Sequence, residues 1–530
     1  MSGPGASEER PRTRTSEPEI PFRLALDPIV MEGRTAVGDL RRQGEAVAGS
    51  AVDDLLDGLA GDLGEILFPS LLEWFFRHPG RRFLDPGATA AHDDFVAWLA
   101  EGELRRRIEQ RPLLARLVES ARRRWSERAR GVVEHAATDV ALLQGQFGVH
   151  PPFVAARPLS DTGWRLIDPH GRSVIYKHRD LRMQSGLEGI VHWLNERGLS
   201  RDLRAAKTIS RNGYGWTEDI VARSGDGEGD DRDYDVRIGM LAGLLHGLGG
   251  GDMHFGNICR SGAHPVVLDC EKVLRPLYPA ETLNDAVVLL TGLLPVGHHP
   301  MHCGLATEHW VDRPRRVAHV GSDALRTVST RRAVEDIHAR FRGAVRANLE
   351  RRIADLTCGF TEVYRLLRDR GLPLEALADA KAQVMVRFFG HYREILARLL
   401  EPDSLASATA RDAILGSLVE SPSAMGGFGD VRRAVEATEI RTLGRGLLPR
   451  FRTPATTCRL EHDDVLLGTP FPLSPIDKSH AILRTMNDET MVRGCREIAF
   501  SLSRLSHSPP GSADGGCWTV ERTGATAAVR

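Results

Sequence analysis

The chain has 530 residues, a formal net charge of -1, and an ordinary balance of 42% hydrophobic and 27% charged residues. One hydrophobic core does not serve so long a chain, so we expect several structural units. The charge provides no overall attraction to nucleic acid or an anionic membrane, and no apolar run approaches the ~20 residues of a spanning helix. Seven cysteines without a CxxC pair indicate reduced thiols. We therefore expect a cytoplasmic protein without nucleic-acid or membrane partners.

The first part of the chain is predicted to be helical. Residues 1–20 lack the apolar core of a signal peptide and are expected to form a disordered leader. Across residues 21–150, stretches such as "LLDGLAGDLGEILFPSLLEWFF" repeat apolar residues every three or four positions. That spacing predicts amphipathic helices, with the arginines of the later stretches on their solvated faces.

Residues 151–222 have a different pattern, typical of a small β-rich lobe. "WRLIDPHGRSVIYKHR" predicts two strands joined by a Pro-His-Gly turn, and "RNGYGWTEDIVA" has strand-like composition. Between them, "GLEGIVHWLNERGL" has helical spacing. The acidic, Gly-rich residues 224–235 are expected to be a solvated loop, since their carboxylates do not match a calcium-binding loop.

The rest of the chain is expected to be mainly helical. Residues 223–330 should form a second lobe, residues 331–505 a helical region, and residues 506–530 a flexible tail. One segment in the second lobe is unusually rich in polar groups: "GGGDMHFGNICRSGAHPVVLDCEK", residues 249–272. The class predicted by these elements is α+β.

Lysine is scarce in this chain, which draws attention to one at a strand end. Of 70 basic residues only five are lysines: Lys177, Lys207, Lys272, Lys381 and Lys478. Lys177 ends the apolar strand "SVIYK", where a compact ammonium suits nucleotide phosphates. Glu188, eleven residues on, could hold that ammonium in place. The alternative is an ordinary surface lysine.

The polar segment offers the groups that phosphoryl transfer needs. Asp252 can accept a hydroxyl proton, with His254 beside it, while Asn257 and the strand-end Asp269 can hold Mg²⁺. Glu271 follows as a further oxygen ligand. Two alternatives remain. The segment could serve a metal hydrolase, although no second His-rich motif completes one, or it could be a structural loop.

With these residues in place, the chain resembles a known family, the N-terminal dehydratase domain of LanM-type (class II) lanthipeptide synthetases. The matching blocks, in the family's order, are "VIYKHR", "NGYGWTEDI", "GDMHFGN" with "HPVVLDCEKVL", "LNDAVVLLTGLLP", "CGFTEVYRLL" and "LGRGLLPRFRTP". The resemblance implies a helical N-terminal region and a lipid-kinase-like bilobal core with additional helices. It also implies that ATP and Mg²⁺ serve to phosphorylate Ser and Thr of a ribosomally synthesised precursor peptide, bound by leader and core, before phosphate is eliminated.

The resemblance also implies residue roles. Lys177 would contact the ATP phosphates with Glu188 as its partner, and Asp252 would be the catalytic base, assisted by His254. Asn257 and Asp269 would hold Mg²⁺, with Glu271 in the same metal segment.

Two positions depart from the family's elimination segment, Arg-x-x-x-Arg-x-Thr-x-x-Tyr. Aligned on Tyr392, "QVMVRFFGHY" places Gln383 at the first Arg and Phe389 at the Thr, while Arg387 fits the second Arg. Neither Gln nor Phe supplies the base or cation that elimination needs. Arg393 offers another register, since Arg387 and Arg393 are also six residues apart.

Other departures concern the flanking parts of the chain. Asp161 fits an Asp-x-His pair of the family, but Gly163 occupies the His position. No zinc-binding cyclase region follows residue 480, so we expect ring closure or elimination to involve a separate cyclase or lyase. His298, His299, His302 and Cys303 form a cluster that resembles a zinc half-site without a distant ligand pair.

Three functions are therefore compatible with the sequence. The first is a stand-alone dehydratase that phosphorylates and then eliminates. The second is a kinase acting alone on a peptide or small molecule, with elimination by another protein. The third is a non-catalytic scaffold that binds a leader peptide.

Overall fold

We describe the protein from a computed structural model. It describes residues 20, 22–41, 46–78, 87–160, 163–283, 287–295, 303–305, 309–318, 321–323, 325–334, 348–421, 423, 426–507 and 520–521. Helices and strands both contribute to the core, so the predicted α+β class is confirmed.

The N-terminal part of the chain is helical. Its α-helices are α1 (Arg23–Arg41), α2 (Gly49–Phe76), α3 (Ala90–Trp98), α4 (Leu104–Glu109), α5 (Pro112–Thr138) and α6 (Val140–Phe147), with a π-helical turn at Leu99–Glu103. The buried leucines of α2 pack around Trp125 of α5, whose indole N–H donates to the carbonyl of Leu55 over 2.8 Å. The same core continues into the first sheet through Tyr176 and Trp216.

The first sheet has five antiparallel strands in the order β1-β2-β3-β5-β4. They are β1 (Ala155–Ser160), β2 (Gly163–Ile167), β3 (Ser173–Lys177), β4 (Thr208–Ser210) and β5 (Gly215–Glu218), and α7 (Arg182–Asn195) connects β3 to β4. The predicted hairpin is β2-β3. Asp168 stabilises its turn by accepting the backbone N–H groups of His170 and Arg172, each at 2.9 Å.

A helical lobe follows, containing α8 (Glu228–Leu248), α9 (Val287–Leu290) and α10 (Leu349–Arg370). Part of the expected loop at 224–235 is instead the start of α8, because acidic residues in a first turn favour a helix N-terminus. Helices α8 and α10 touch at glycines. A Cβ at Gly239 would lie 1.9 Å from the carbonyl oxygen of Leu356, so no larger residue fits there. A hairpin of β6 (Ile258–Ser261) and β7 (His264–Val267) follows α8.

Two further sheets lie in regions where the sequence analysis did not expect strands. One has the order β14-β9-β8, from β8 (His309–Ala318), β9 (Arg326–Val334) and β14 (Val520–Glu521). The other runs β10-β11-β12-β13, from β10 (Lys381–Val384), β11 (Phe451–Pro454), β12 (Leu460–His462) and β13 (Val465–Gly468). The strands of the four-stranded sheet β10-β11-β12-β13 span four residues or fewer, too few for an alternating pattern to be recognised.

Six more helices belong to the described part of the chain after residue 380. They are α11 (Phe389–Leu399), α12 (Pro402–Ala406), α13 (Ala408–Gly416), α14 (Val431–Leu443), α15 (Pro475–Thr485) and α16 (Asp488–His507), with a 3₁₀ turn at Leu374–Leu377. A second large core joins α7, α8 and α10 to α16. Within the described part of the chain, no helix combines the length and apolar character needed to cross a membrane.

Candidate active site

The ammonium of Lys177 lies between the five-stranded sheet and the segment after β7. Its Nζ donates to the backbone carbonyl of Leu268 over 3.0 Å and to Oε1 of Gln184 over 3.3 Å. Burial lowers the pKa of Lys177, the charge of Arg179 lowers it further, and Asp269 opposes both. Lys177 is therefore not the ordinary surface lysine that was its alternative interpretation.

Gln184, not Glu188, is the α7 side chain that contacts Lys177. Oε2 of Glu188 instead accepts the backbone N–H of Thr208 at 2.9 Å, and burial raises the pKa of Glu188. Gln184 lies one turn earlier on the same helix face, closer to the end of β3. Its Nε2 also donates to Oγ1 of Thr217 over 2.7 Å, which fixes the orientation of the amide.

Arg179 connects the strand-end carboxylates of the metal segment. Its Nη2 donates to Oδ1 of Asp269 over 3.1 Å, and its Nη1 donates to Oε1 of Glu271. Burial alone would raise the pKa of Asp269, but the charges of Arg179 and Lys177 outweigh it and hold that pKa below its ordinary value. Asp269 is thus ionised at neutral pH, and it shares Arg179 as a hydrogen-bond donor with Glu271, the other carboxylate that the sequence predicted as a metal ligand.

Asp252 has a strained backbone and a paired side chain. Its φ is +66°, in the left-handed region that residues other than glycine seldom adopt and that recurs at functional sites. Its Oδ2 accepts from Nζ of Lys272 at 2.9 Å, and its Oδ1 lies 3.9 Å from Nε2 of His254. The carboxylate is one third exposed, whereas the Lys272 side chain is 9% exposed.

The position of this carboxylate depends on a close backbone approach. A Cβ at Gly250 would lie 2.3 Å from the carbonyl oxygen of Val273, so glycine is required there. The backbone N–H of Gly251 donates to the carbonyl of Lys272 over 2.9 Å. The segment that carries Asp252 is therefore held directly against the segment that carries Lys272.

His254 has a defined role as a donor. Its Nδ1 accepts the backbone N–H of Gly256 at 3.1 Å. In the neutral ring the proton then resides on Nε2, the nitrogen that faces Asp252. With its acceptor nitrogen already engaged, neutral His254 can donate a hydrogen bond to a reacting oxygen, but it is not placed to remove a proton.

Asn257 connects the segment of Asp252 to the segment of Asp269 by hydrogen bonds. Its Nδ2 donates to the backbone carbonyl of Asp252 over 2.8 Å, which leaves the amide oxygen as the atom able to bind a cation. Pairing of Ile258 with Val267 in the β6-β7 hairpin places Asn257 opposite Leu268, whose N–H donates to the Asn257 carbonyl over 2.8 Å. Asp269 is the next residue, so the hairpin brings both predicted Mg²⁺ ligands to its open end.

The chemistry of these donors fits a magnesium-bound nucleotide. One amide oxygen and one ionised carboxylate are hard ligands of the kind that Mg²⁺ takes from proteins, with phosphates and water completing the coordination. Among the described residues, no three or more His, Cys, Asp or Glu side chains form a group that could hold a metal ion by themselves. Lys177, which the sequence predicts as the cation for phosphates, is hydrogen-bonded to Leu268, the residue before Asp269.

The expected elimination segment lies beside this site. The backbone N–H of Gln383 donates to the carbonyl of Glu271 over 2.8 Å, so β10 extends along the metal segment. The ring of Phe389 lies 5.4 Å from Nζ of Lys272, measured to the ring centroid. If Phe389 occupies the Thr position of the family's elimination segment, as the alignment on Tyr392 has it, that position lies next to Lys272 and Asp252.

Arg387, by contrast, is part of a buried polar cluster. Its side chain is 1% exposed, its Nε donates to Oε1 of Glu439 over 3.0 Å, and its Nη1 donates to the carbonyl of Ser421. Tyr392 donates its hydroxyl to the same Glu439 oxygen. A substrate cannot reach this guanidinium in the arrangement described. Arg393, the other candidate by register, is exposed on α11.

Some expected positions lie outside the described residues, namely Asp161, His298, His299 and His302. Gly163 is the first residue of β2, and Cys303 is buried. An open cavity of about 350 Å³ lies on the helical region between α2 and α5, lined by Leu59, Trp125 and charged residues of α5. None of the predicted site residues lines that cavity, so it is separate from the candidate active site.

Three contributors to the site were not predicted: Gln184, Arg179 and Lys272. The scarcity of lysine could have identified Lys272, which belongs to the same set of five as Lys177. Arg179 stands within the "VIYKHR" block that carries part of the resemblance. Gln184 could have been considered from its position four residues before Glu188, on the same face of a helix.

Comparison with known families places all of these residues in one domain. Residues 112–454 match the family described as "Domain of unknown function (DUF4135)". The match covers more than half of the chain, and the chain belongs to this family. It begins in α5 and ends with β11, so it includes every candidate site residue from Lys177 to Arg393. No curated protein matches the chain.

Proposed function

We propose that this protein uses ATP and Mg²⁺ to phosphorylate Ser and Thr residues of a ribosomally synthesised precursor peptide, and then eliminates the phosphate. The observation that carries the phosphoryl-transfer step is the connection of three groups at one place. Lys177 is hydrogen-bonded to Leu268, Leu268 to Asn257, and Asn257 to Asp252, with Asp269 next in sequence to Leu268. A phosphate-binding cation, metal ligands and a base are the parts that such transfer requires. The peptide substrate rests on the resemblance to LanM-type dehydratases.

The arrangement supports a specific division of labour. Asp252 orients the acceptor hydroxyl and takes its proton, while Lys272 steadies the other carboxylate oxygen. His254 donates from Nε2 to an oxygen beside the reacting hydroxyl. Asn257 and Asp269 would hold Mg²⁺, and when bound, the ATP-Mg²⁺ complex supplies the phosphoryl group and offsets its charge.

We further propose that the domain is a bilobal core of the lipid-kinase type. The five-stranded sheet with α7 would be the smaller lobe, and α8, α10 and the β6-β7 hairpin the larger one. ATP would then lie between Lys177 on the sheet and Asp269 on the hairpin side, as pockets commonly form between such units.

A kinase acting alone is the second candidate, and one observation favours it. Gln383 and Phe389 carry no charge, and Arg387 is buried in its pair with Glu439. If no other group in the site stabilises a departing phosphate, elimination needs a separate lyase.

Co-expression with the precursor peptide encoded at the neighbouring locus tests these functions. Mass spectrometry of the recovered peptide separates three products. Peptide lighter by one water per modified residue supports the dehydratase, and peptide heavier by one phosphoryl group supports the kinase alone. Unmodified peptide, from a protein that also leaves ATP intact in the presence of that peptide, rejects both.

A further inference from the structure

We infer that Lys272 is the cation that stabilises the departing phosphate during elimination. This assignment rests on the proposed function and names a residue for its second step. The three positions expected to serve elimination leave the charge of a leaving phosphate without an accessible cation, since Gln383 and Phe389 are neutral and Arg387 is 1% exposed. Lys272 lies among the same elements and carries the required charge.

Its ammonium is close to both halves of the site. Nζ is 2.9 Å from Oδ2 of Asp252 and 5.4 Å from the ring centroid of Phe389. One cation is therefore near both the group proposed to activate the acceptor hydroxyl and the position expected to serve elimination. A hydroxyl that has been activated by Asp252 becomes, after phosphorylation, an ester oxygen within reach of the same ammonium.

The backbone keeps Lys272 in that position. Its carbonyl accepts the N–H of Gly251 at 2.9 Å, and the preceding residue, Glu271, accepts the N–H of Gln383 at 2.8 Å. These two backbone hydrogen bonds hold the segment of Lys272 against Gly251, the residue before Asp252, and against Gln383 of β10. Burial of the side chain to 9% exposure strengthens its electrostatic interaction with a nearby phosphate.

The elimination step then balances as follows. Asp252 first returns the hydroxyl proton to solvent, which its one-third exposed side chain permits. The carboxylate next removes the Cα proton of the phosphorylated residue. The C–H electron pair forms the Cα–Cβ double bond, the Cβ–O bond breaks, and phosphate leaves with that electron pair, its charge stabilised by Lys272.

The test separates the two steps by supplying the intermediate. The substrates are the precursor peptide encoded at the neighbouring locus and a synthetic version of it with one phosphoserine. Lys272→Gln retains a hydrogen-bond donor for Asp252 but removes the charge, and Lys272→Met is a second neutral variant. Lys207→Met makes the same change at an exposed lysine and serves as the control.

We expect Lys272→Gln to slow phosphate release from the phosphopeptide by about 100-fold or more, the size of effect seen when one stabilising donor is removed. It should also weaken binding of the phosphopeptide much more than binding of the unphosphorylated peptide, measured by calorimetry. A residue that only supports the fold would not change that ratio. Because Lys272 also steadies Asp252, phosphorylation itself can slow in these variants, but phosphopeptide should make up a larger share of the product than in the wild type. Lys207→Met should match the wild type in both steps.

Two results overturn the assignment while leaving the kinase proposal intact. One is wild-type protein that phosphorylates the precursor but releases no phosphate from the phosphopeptide. The other is a Lys272→Gln or Lys272→Met variant that releases phosphate at the wild-type rate. Failure of the proposed function itself looks different, because the wild type would then neither phosphorylate the precursor nor release phosphate.

Discussion

Asp252 and Arg387 are both charged residues with an oppositely charged partner, but their surroundings differ. The Asp252 carboxylate is one third exposed and has Lys272 and His254 on its two oxygens. Arg387 and its partner Glu439 are 1% and 0% exposed, and Tyr392 occupies the same carboxylate oxygen. The Asp252 carboxylate can exchange one of these contacts for a substrate group, whereas Arg387 and Glu439 are closed to substrates. Charge in a motif therefore indicates chemistry only when the fold leaves it accessible.

The largest effect should come from removing the charge at the accessible site. Asp252→Asn removes the proton acceptor, so turnover should fall by about 10²- to 10⁴-fold, the usual contribution of general-base catalysis. ATP binding should be largely retained, since Lys177 and Asp269 remain. The measurement is peptide-dependent ADP release, with ATP affinity determined separately.

Asp463→Asn is the matched control, because Asp463 is 87% exposed in the β12-β13 turn and tolerates an asparagine there. Full activity of Asp252→Asn would mean that the accessible pair is no more catalytic than the buried one.

Arg387→Ala should affect stability, not one chemical step. Without Arg387, the buried carboxylate of Glu439 loses its cation, which typically costs about 3–5 kcal/mol of unfolding free energy. Replacing both partners, as in Arg387→Met with Glu439→Leu, should recover much of that loss. Denaturant unfolding measures both effects.

Arg393→Ala is the control at an exposed arginine, and it should change stability by no more than about 0.5 kcal/mol. The comparison fails if Arg387→Ala keeps wild-type stability but turns a dehydrated product into a phosphorylated one. Arg387 would then be an elimination residue despite its burial.

The stability of the folded protein should depend on pH through a buried histidine at the end of α8. His246 lies near the end of α8, a few residues before Asp252, and packs against Phe360 and Tyr364. Burial lowers its pKa from 6.5 to about 4. The unfolded chain therefore binds more protons between these values, and the folded protein loses stability as pH falls through this window, by about 3 kcal/mol near pH 4.

Urea unfolding at pH 7.5 and near pH 4 measures this dependence. His246→Leu should be less sensitive to acid than the wild type, whereas His192→Leu, at a side chain that is 76% exposed, should retain the wild-type dependence. Equal acid sensitivity in the wild type and His246→Leu would show that His246 is not the group that destabilises the folded protein in acid.

The sequence predicted the local elements of this site better than their partners. Lys177, Asp252, Asn257 and Asp269 each lie in a short segment of sequence. A strand end, a loop or a hairpin is decided by neighbouring residues, so the sequence alone could indicate these positions. The partner of Lys177 could not be chosen in this way, since Gln184 and Glu188 share a helix face and only the packing of α7 on the sheet distinguishes them. The burial of Arg387 likewise depends on Glu439, 52 residues away. The four-stranded sheet β10-β11-β12-β13 was not predicted, because its strands are too short to show an alternating pattern of apolar and polar residues.

The smallest predicted effect tests that choice of partner. Gln184→Leu removes the side-chain acceptor of Lys177 and leaves the Thr217 hydroxyl without its donor. Loss of the hydrogen bond to Lys177 costs about 1 kcal/mol, so the ATP concentration for half-maximal rate should rise by about fivefold. Glu188→Gln should change it by less than about twofold, because an amide oxygen still accepts the N–H of Thr208. Both variants can be measured by ADP release at saturating peptide. A larger rise for Glu188→Gln than for Gln184→Leu would show that Glu188 supports Lys177, as the sequence motif suggested, and that the contacts around Lys177 rearrange when ATP binds.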